Sequence, residues 1–227
     1  MEPIKTLIIN RFKILSLLTV SMAFSVVLLM IRIKLNQSFF FLFLVWNLFL
    51  AVIPYAITTY LISLANIQRI SLLLYGSIWL LFLPNAPYII TDLLHLRLSN
   101  IHFMWLDVLL VTSFAFNGMM LFYLSLMDME IILKKYLNTK IVYHTIHFVC
   151  ILTGFGMYLG RFLHYNSWEI IQNPLALTSD IFDIIIHPNQ HLEAWIFTAS
   201  FGMFLMVGFR MFNVLKERNT SIHFPST

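Results

Sequence analysis

Leu83-Pro84-Asn85-Ala86-Pro87-Tyr88-Ile89-Ile90-Thr91-Asp92-Leu93-Leu94-His95 gathers the residue types that could do chemistry within a few turns of chain. Two prolines three residues apart each remove a backbone donor and crowd the preceding turn, so the spacing predicts an interruption of one helix. Pro87 suits the first turn of a new half-helix, with Asn85 or Ala86 near its cap. The positive end of such a half-helix attracts an anionic group. Asp92 and His95, three residues apart, share a face. A carboxylate and an imidazole so placed fit a proton relay or two ligands of a metal ion. A kinked helix whose Asp92 and His95 mark its exit to the headgroup region is the bland alternative.

Other chemistry-bearing residues lie further along the chain. Asp107 follows Trp105 at the start of an apolar run, where it either faces Asp92 from a neighbouring helix or caps its own. Arg161 ends another run and directly follows Gly160. A helix C-terminus favours a cation there, and pairing with Asp92 or Asp107, or a bidentate clamp on phosphate or carboxylate, is the functional alternative. His164 lies three residues beyond. Asp92, His95, Asp107 and His164 are candidate ligands of a divalent metal, and no cofactor is otherwise identified by the sequence. Haem is disfavoured, because His144 and His147 have no matching pair on another segment. Asn166-Ser167-Trp168-Glu169 predicts a helix start, with Asn166 as N-cap and Glu169 at the third helical position. Gly156 and Gly160, four apart, predict close helix approach. No Walker loop, Gly-x-Ser-x-Gly elbow or His-Glu-x-x-His is present.

The elements that must position these residues are membrane spans. Hydrophobic residues make up 60% of the 227, and charged residues 11%, where a soluble domain carries about 25%. Six segments satisfy the requirement of about 20 apolar helical residues, at roughly 14–31, 39–64, 70–96 (interrupted at Pro84 and Pro87), 105–126, 141–163 and 192–209. The expected fold is therefore an all-α polytopic bundle, a single transmembrane domain whose 164–191 segment lies at one interface. The lone Cys150 excludes an intramolecular disulfide and a multi-cysteine metal site.

An even span count puts both termini on one side. That side carries Lys5, Arg11, Lys13, Arg69, Lys134, Lys135, Lys140, Arg210, Lys216 and Arg218, against Arg32, Lys34, Arg97 and Arg161 on the other. The positive-inside rule predicts cytoplasmic termini. The net charge of +4 is then a topology signal rather than a sign of nucleic-acid binding. The expected partners are the bilayer and other membrane subunits.

Leu-Pro-Asn-Ala-Pro-Tyr at 83–88, with Thr91-Asp92-Leu93 and His95-Leu96, resembles the central signature of a family called domain of unknown function 1361. Asn47-Leu48 with Pro54, Trp105-Leu106-Asp107, Gly160-Arg161-Phe162-Leu163 and Asn166-Ser167-Trp168-Glu169 agree with it. The chain departs from the pattern at His164, where Arg is expected, and at Glu169, where Asp is common. The resemblance implies a small multispanning bacterial membrane protein and no particular activity. Asn47, inside the second span, is expected to hydrogen-bond a neighbouring helix. Three functions stay open. One is a binding or transport-type subunit for a small anionic molecule or lipid headgroup. The others are a membrane-embedded metal-dependent hydrolase or transferase, and a structural or assembly partner.

Overall fold

The computed structural model describes residues 2–64, 66–98 and 101–221. The side chains of Lys5, Lys216 and Arg218, which enter the charge count, lie outside the described residues. Six helical stretches are long and apolar enough to cross a membrane: Arg11–Asn36, Phe40–Ser63, Arg69–Arg97, Met104–Lys134, Thr139–Phe162 and Leu192–Leu215. Each expected span is present. Most run several residues past their apolar core, because helix formation continues through the polar residues at the ends. The chain divides into two compact units, Met1–Asp128 and Met129–Thr227.

The first unit contains α1 (Glu2–Asn36), α2 (Phe43–Ser63), α3 (Arg69–Phe82), the single turn α4 (Asn85–Tyr88) and most of α5 (Met104–Lys134). A 3-10 helix, Ile89–Leu98, follows α4. Just over half of the apolar stretch of α5 is buried (56%, against 22% for α1), and α2 packs against α1, α3 and α4. Leu44, Leu61, Leu83, Ile89, Leu110, Phe114 and Phe122 are fully enclosed.

Polar groups join these helices at depth. Trp79 Nε1 donates to Ser125 Oγ at 2.8 Å, and the Ser125 and Thr58 hydroxyls lie 3.4 Å apart, tying α2, α3 and α5 together. Between α1 and α5, Arg11 donates to both oxygens of Asp128 at 2.5 and 2.7 Å. Asn117 Nδ2 donates to Ser25 Oγ at 3.0 Å, and Arg32 grips Asp107. The order is antiparallel: 11 with 128, 25 with 117, 32 with 107. Both arginines and both aspartates are separated by 21 residues, about 31 Å along a helix. That is the thickness of a hydrocarbon core, so the two ion pairs bracket an apolar span with one neutral hydrogen bond between them.

The second unit contains α6 (Thr139–Phe162), α7 (Glu169–Gln172), α8 (Pro174–Ile186) and α9 (Leu192–Ser221). Asn138 caps α6, its side chain accepting from the Lys140 N–H. α6 and α9 pack backbone to backbone through Gly154 and Gly202. A Cβ on Gly154 would lie 2.8 Å from the Thr198 carbonyl oxygen, and one on Gly202 would lie 2.9 Å from Ile151 Cα. Gly154, two residues before the Gly156-x-x-x-Gly160 pair, makes this approach. Small residues let helices approach in lipid, where apolar burial offers no net drive. α8 is fixed by Ile184, which is buried with Tyr158 and Ala194, while its Leu175, Phe182 and Ile186 are exposed.

Candidate functional site

The Pro84–Pro87 stretch answers its own loss of donors. In an α-helix the Leu83 carbonyl would accept from residue 87, but Pro87 has no N–H. The Ala86 N–H takes its place, at 3.2 Å. That leaves the Phe82 carbonyl without its usual partner, and Asn85 Nδ2 supplies one at 2.9 Å. The Tyr88 N–H reaches the Pro84 carbonyl at 3.0 Å. The interruption is therefore a change of helix type rather than an unwound break. Pro84 keeps helical dihedrals (φ −60°, ψ −26°), and the shortened i to i+3 bonding continues as the 3-10 stretch. The free half-helix end expected at Pro87, with amides to hold an anion, does not exist, because the Ala86 and Tyr88 amides are already used. α5 passes directly over this turn at Gly118, where a Cβ would overlap the Ala86 carbonyl oxygen. No sequence motif had singled out Gly118.

In a 3-10 helix residues three apart eclipse. Ile89, Asp92 and His95 therefore form one row, with Ile89 and Asp92 buried (0% and 1% exposed). Asp92 Oδ2 accepts from Asn47 Nδ2 of α2 at 2.9 Å, which is the interhelical bond expected of Asn47. His95 Nε2 stands 3.8 Å from Asp92 Oδ1, and its ring meets Phe40 and Phe43 edge-on. Thr91 Oγ1 donates to the Tyr88 carbonyl at 2.7 Å, supporting the tight turns. A 3-10 run of ten residues is unusual, since runs beyond about four are uncommon and mid-helix ones often mark hinges.

Asp107, in the first turn of α5, is fully buried and belongs to Arg32. The guanidinium donates from Nε to Oδ1 at 2.9 Å and from Nη2 to Oδ2 at 3.3 Å. It stacks over the Phe41 ring at 4.9 Å and reaches the Ser38 carbonyl through Nη1. Sequence reading had left Arg32 among the topology charges and looked to Arg161 for this partner. The 21-residue repeat shared by Arg11/Arg32 and Asp107/Asp128 was the signal that could have found it.

Among the described residues, no three His, Cys, Asp or Glu side chains form a group that could hold a metal ion. Asp92, His95 and Asp107, the candidate ligands of the first unit, do not form such a group. Asp107 is committed to a guanidinium, and His164 has a backbone role instead. His164 takes a left-handed φ of 60°, the conformation that commonly ends a helix, and the Tyr165 N–H beyond it returns to the Leu159 carbonyl at 3.1 Å.

The remaining predicted residues lie in the second unit. Arg161 is half-buried in the last turn of α6. The predicted cap at Asn166 is not formed: α7 begins at Glu169 with Trp168 in the cap position. Asn166 contributes its carbonyl, which accepts the Glu169 N–H at 2.9 Å, and Glu169 accepts from Asn173 Nδ2 at 2.8 Å. Nearby, Tyr165 donates its hydroxyl to Asp180 at 2.7 Å, and that bond raises the phenol pKa above its ordinary value. Asp183 meets His187 Nδ1 at 2.9 Å and His191 Nε2 at 2.8 Å. Hydrogen bonds from His191 and then His187 hold its carboxyl below the usual range. This clasp, at the α8–α9 turn, was not anticipated from sequence.

A family model described as "Protein of unknown function (DUF1361)" matches residues 46–207. The chain belongs to this family. The match takes in Asn47, the Pro84–His95 stretch, Asp107 and Arg161–Glu169, and it begins after Arg32. No curated protein and no solved structure matches the chain. It is a multi-pass membrane protein by its six apolar helices.

Proposed function

We propose that this DUF1361 protein is a binding or transport-type subunit of a bacterial cytoplasmic membrane, with Asn47, Asp92 and His95 as its polar site. Both termini face the cytoplasm in this reading, on the strength of the Lys and Arg asymmetry, and the site faces the outer leaflet. The observation that carries the function is a carboxylate of 1% exposure on a ten-residue 3-10 stretch, held by a neutral amide and beside an imidazole. Ionisable groups within membrane spans mark ion and proton pathways. His95, whose side chain is about one-third exposed (32%), stands 3.8 Å from Asp92 and would carry a proton to it. A larger ligand requires the 3-10 segment to move, and any such ligand would present a donor group to the carboxylate.

A small anionic molecule or lipid headgroup remains the second reading. Its support is Arg161, half-buried where α6 ends. The half-helix end that also favoured it has been lost. Asp92, His95 and Asp107, the first-unit residues of the hydrolase or transferase reading, form no metal-holding group among the described residues. Infrared titration of the detergent-purified chain tests the proton site. A carboxyl band that titrates in the wild type, vanishes in Asp92→Asn and shifts in Asn47→Ala supports it. A spectrum unchanged by Asp92→Asn contradicts it.

A further inference from the structure

In the second unit, Tyr143 and His147 of α6 and Arg210 of α9 form a cluster that shares no residue with the Asn47–Asp92–His95 site. Arg210 Nε donates to His147 Nε2 at 3.2 Å. On the other side of that imidazole, Nδ1 lies 2.6 Å from the Tyr143 carbonyl oxygen. The two contacts fix one tautomer, with Nδ1–H donating to the carbonyl and Nε2 accepting from the arginine. The Arg210 guanidinium also stacks over the Tyr143 ring at 4.8 Å. Its Nε–H and its face over the ring are therefore both engaged, while Nη1 and Nη2 make no hydrogen bond among the described residues.

The charge of this cluster is unbalanced. Arg210 has no carboxylate partner among the described residues. Glu130, which acts electrostatically on His147, is itself paired with Lys134 at 2.7 Å. Tyr143 and Arg210 are exposed. They lie four and five residues from the ends of their apolar stretches, Thr139–Phe162 and Leu192–Leu215, where a span meets the headgroup region. A guanidinium held over an aromatic ring with both Nη groups unengaged can match the paired oxygens of a phosphate.

We infer that Tyr143, His147 and Arg210 form a phosphate-binding site at the membrane surface, with Arg210 as the bidentate ligand and the other two as positioning residues. The phosphate is that of an anionic phospholipid or a free one. The cytoplasmic leaflet as its location rests on the orientation proposed above; the site itself does not depend on the Asp92 reading.

The test is native mass spectrometry of the full chain in a neutral detergent, titrated with phosphatidylglycerol, phosphatidylcholine and inorganic phosphate. Because the contacts are charge-assisted, the first phosphatidylglycerol is expected to bind at least about tenfold more tightly than phosphatidylcholine. Arg210→Gln abolishes that preference. Arg210→Lys restores little of it, and His147→Ala weakens it. Arg69→Gln, an exposed arginine of the first unit, leaves it unchanged and controls for loss of charge. Thermal unfolding in lipid-free detergent checks that each variant is folded. Displacement of the lipid by inorganic phosphate assigns the site to free phosphate, and lack of displacement assigns it to the lipid. Equal binding of both lipids, with no Arg210-dependent binding of inorganic phosphate, overturns the inference. So does a phosphatidylglycerol preference that survives in folded Arg210→Gln.

Discussion

Two aspartates in the first unit, Asp92 and Asp107, are both almost fully buried and are handled in opposite ways. Asp107 meets a guanidinium through two hydrogen bonds, with an aromatic ring beneath it. Asp92 accepts from a neutral amide and has an imidazole 3.8 Å away. The first arrangement cancels charge inside a rigid α-helical frame. The second keeps a protonatable group on a 3-10 segment, the least regular element of the unit. A matched ion pair whose counterpart, Arg11–Asp128, sits one bilayer thickness away serves architecture. In the proposed reading, a carboxylate with a neutral amide and an imidazole among its neighbours serves chemistry.

The comparison breaks most visibly at Asp107. Asp107→Ala leaves Arg32 buried without its counter-charge and is expected to cost about 3–5 kcal/mol, read as loss of folded protein in denaturant titrations in detergent. The double variant Arg32→Met/Asp107→Leu is expected to recover most of that loss, because replacing both members of a buried pair by apolar groups is often near neutral. An unrecovered double variant would mean that the pair does more than cancel charge.

Gly118→Ala is the next largest perturbation, since its Cβ meets the Ala86 carbonyl rather than a flexible side chain. Overpacking of this kind costs about 1–3 kcal/mol. It should also displace the 3-10 segment, which a cysteine cross-link between α5 and the Pro84–Pro87 turn would detect. At the Asp92 site, Asn47→Ala removes a donor from a buried carboxylate and is expected to cost about 1–3 kcal/mol. Asp92→Asn, which can still bond Asn47, is expected to cost less than about 1 kcal/mol. Equal losses in the two variants would make Asp92 a structural group like Asp107.

The smallest effect lies in the exposed clasp at Asp183. Its carboxyl is held below the ordinary range by His191 and His187, so the clasp contributes fully above the usual carboxylate pKa of about 4. The contribution is lost as pH falls through the lower folded value. Hydrogen exchange at the α8–α9 turn should therefore accelerate on acidification in the wild type, and Asp183→Asn should flatten that dependence.

The six spans were legible because a hydrocarbon core imposes a length of apolar residues that few other structures need. The Asp92–His95 pairing and the interhelical role of Asn47 were legible from spacing and depth. The form of the interruption was not, because two prolines announce missing donors without saying which groups replace them. Here Asn85 and the Ala86 amide do so, and the chain shifts to 3-10 bonding instead of breaking. Arg32 escaped because a single arginine near a span end reads as a topology charge. Only its 21-residue relation to Arg11, mirrored by Asp107 and Asp128, points to a pair. Asn166 has good cap chemistry, yet α7 starts later because the left-handed His164 and the turn at Asn166–Glu169 set the chain direction first.

The most direct test of the contrast between Asp92 and Asp107 is proton flux in proteoliposomes that hold the full chain and an internal pH dye. An imposed pH step should relax faster in wild-type vesicles than in empty ones. Asp92→Asn should fall to the empty-vesicle rate, while Arg32→Met/Asp107→Leu retains the wild-type rate. Wild-type and Asp92→Asn vesicles relaxing at the same rate would contradict the assignment of Asp92 as the working group.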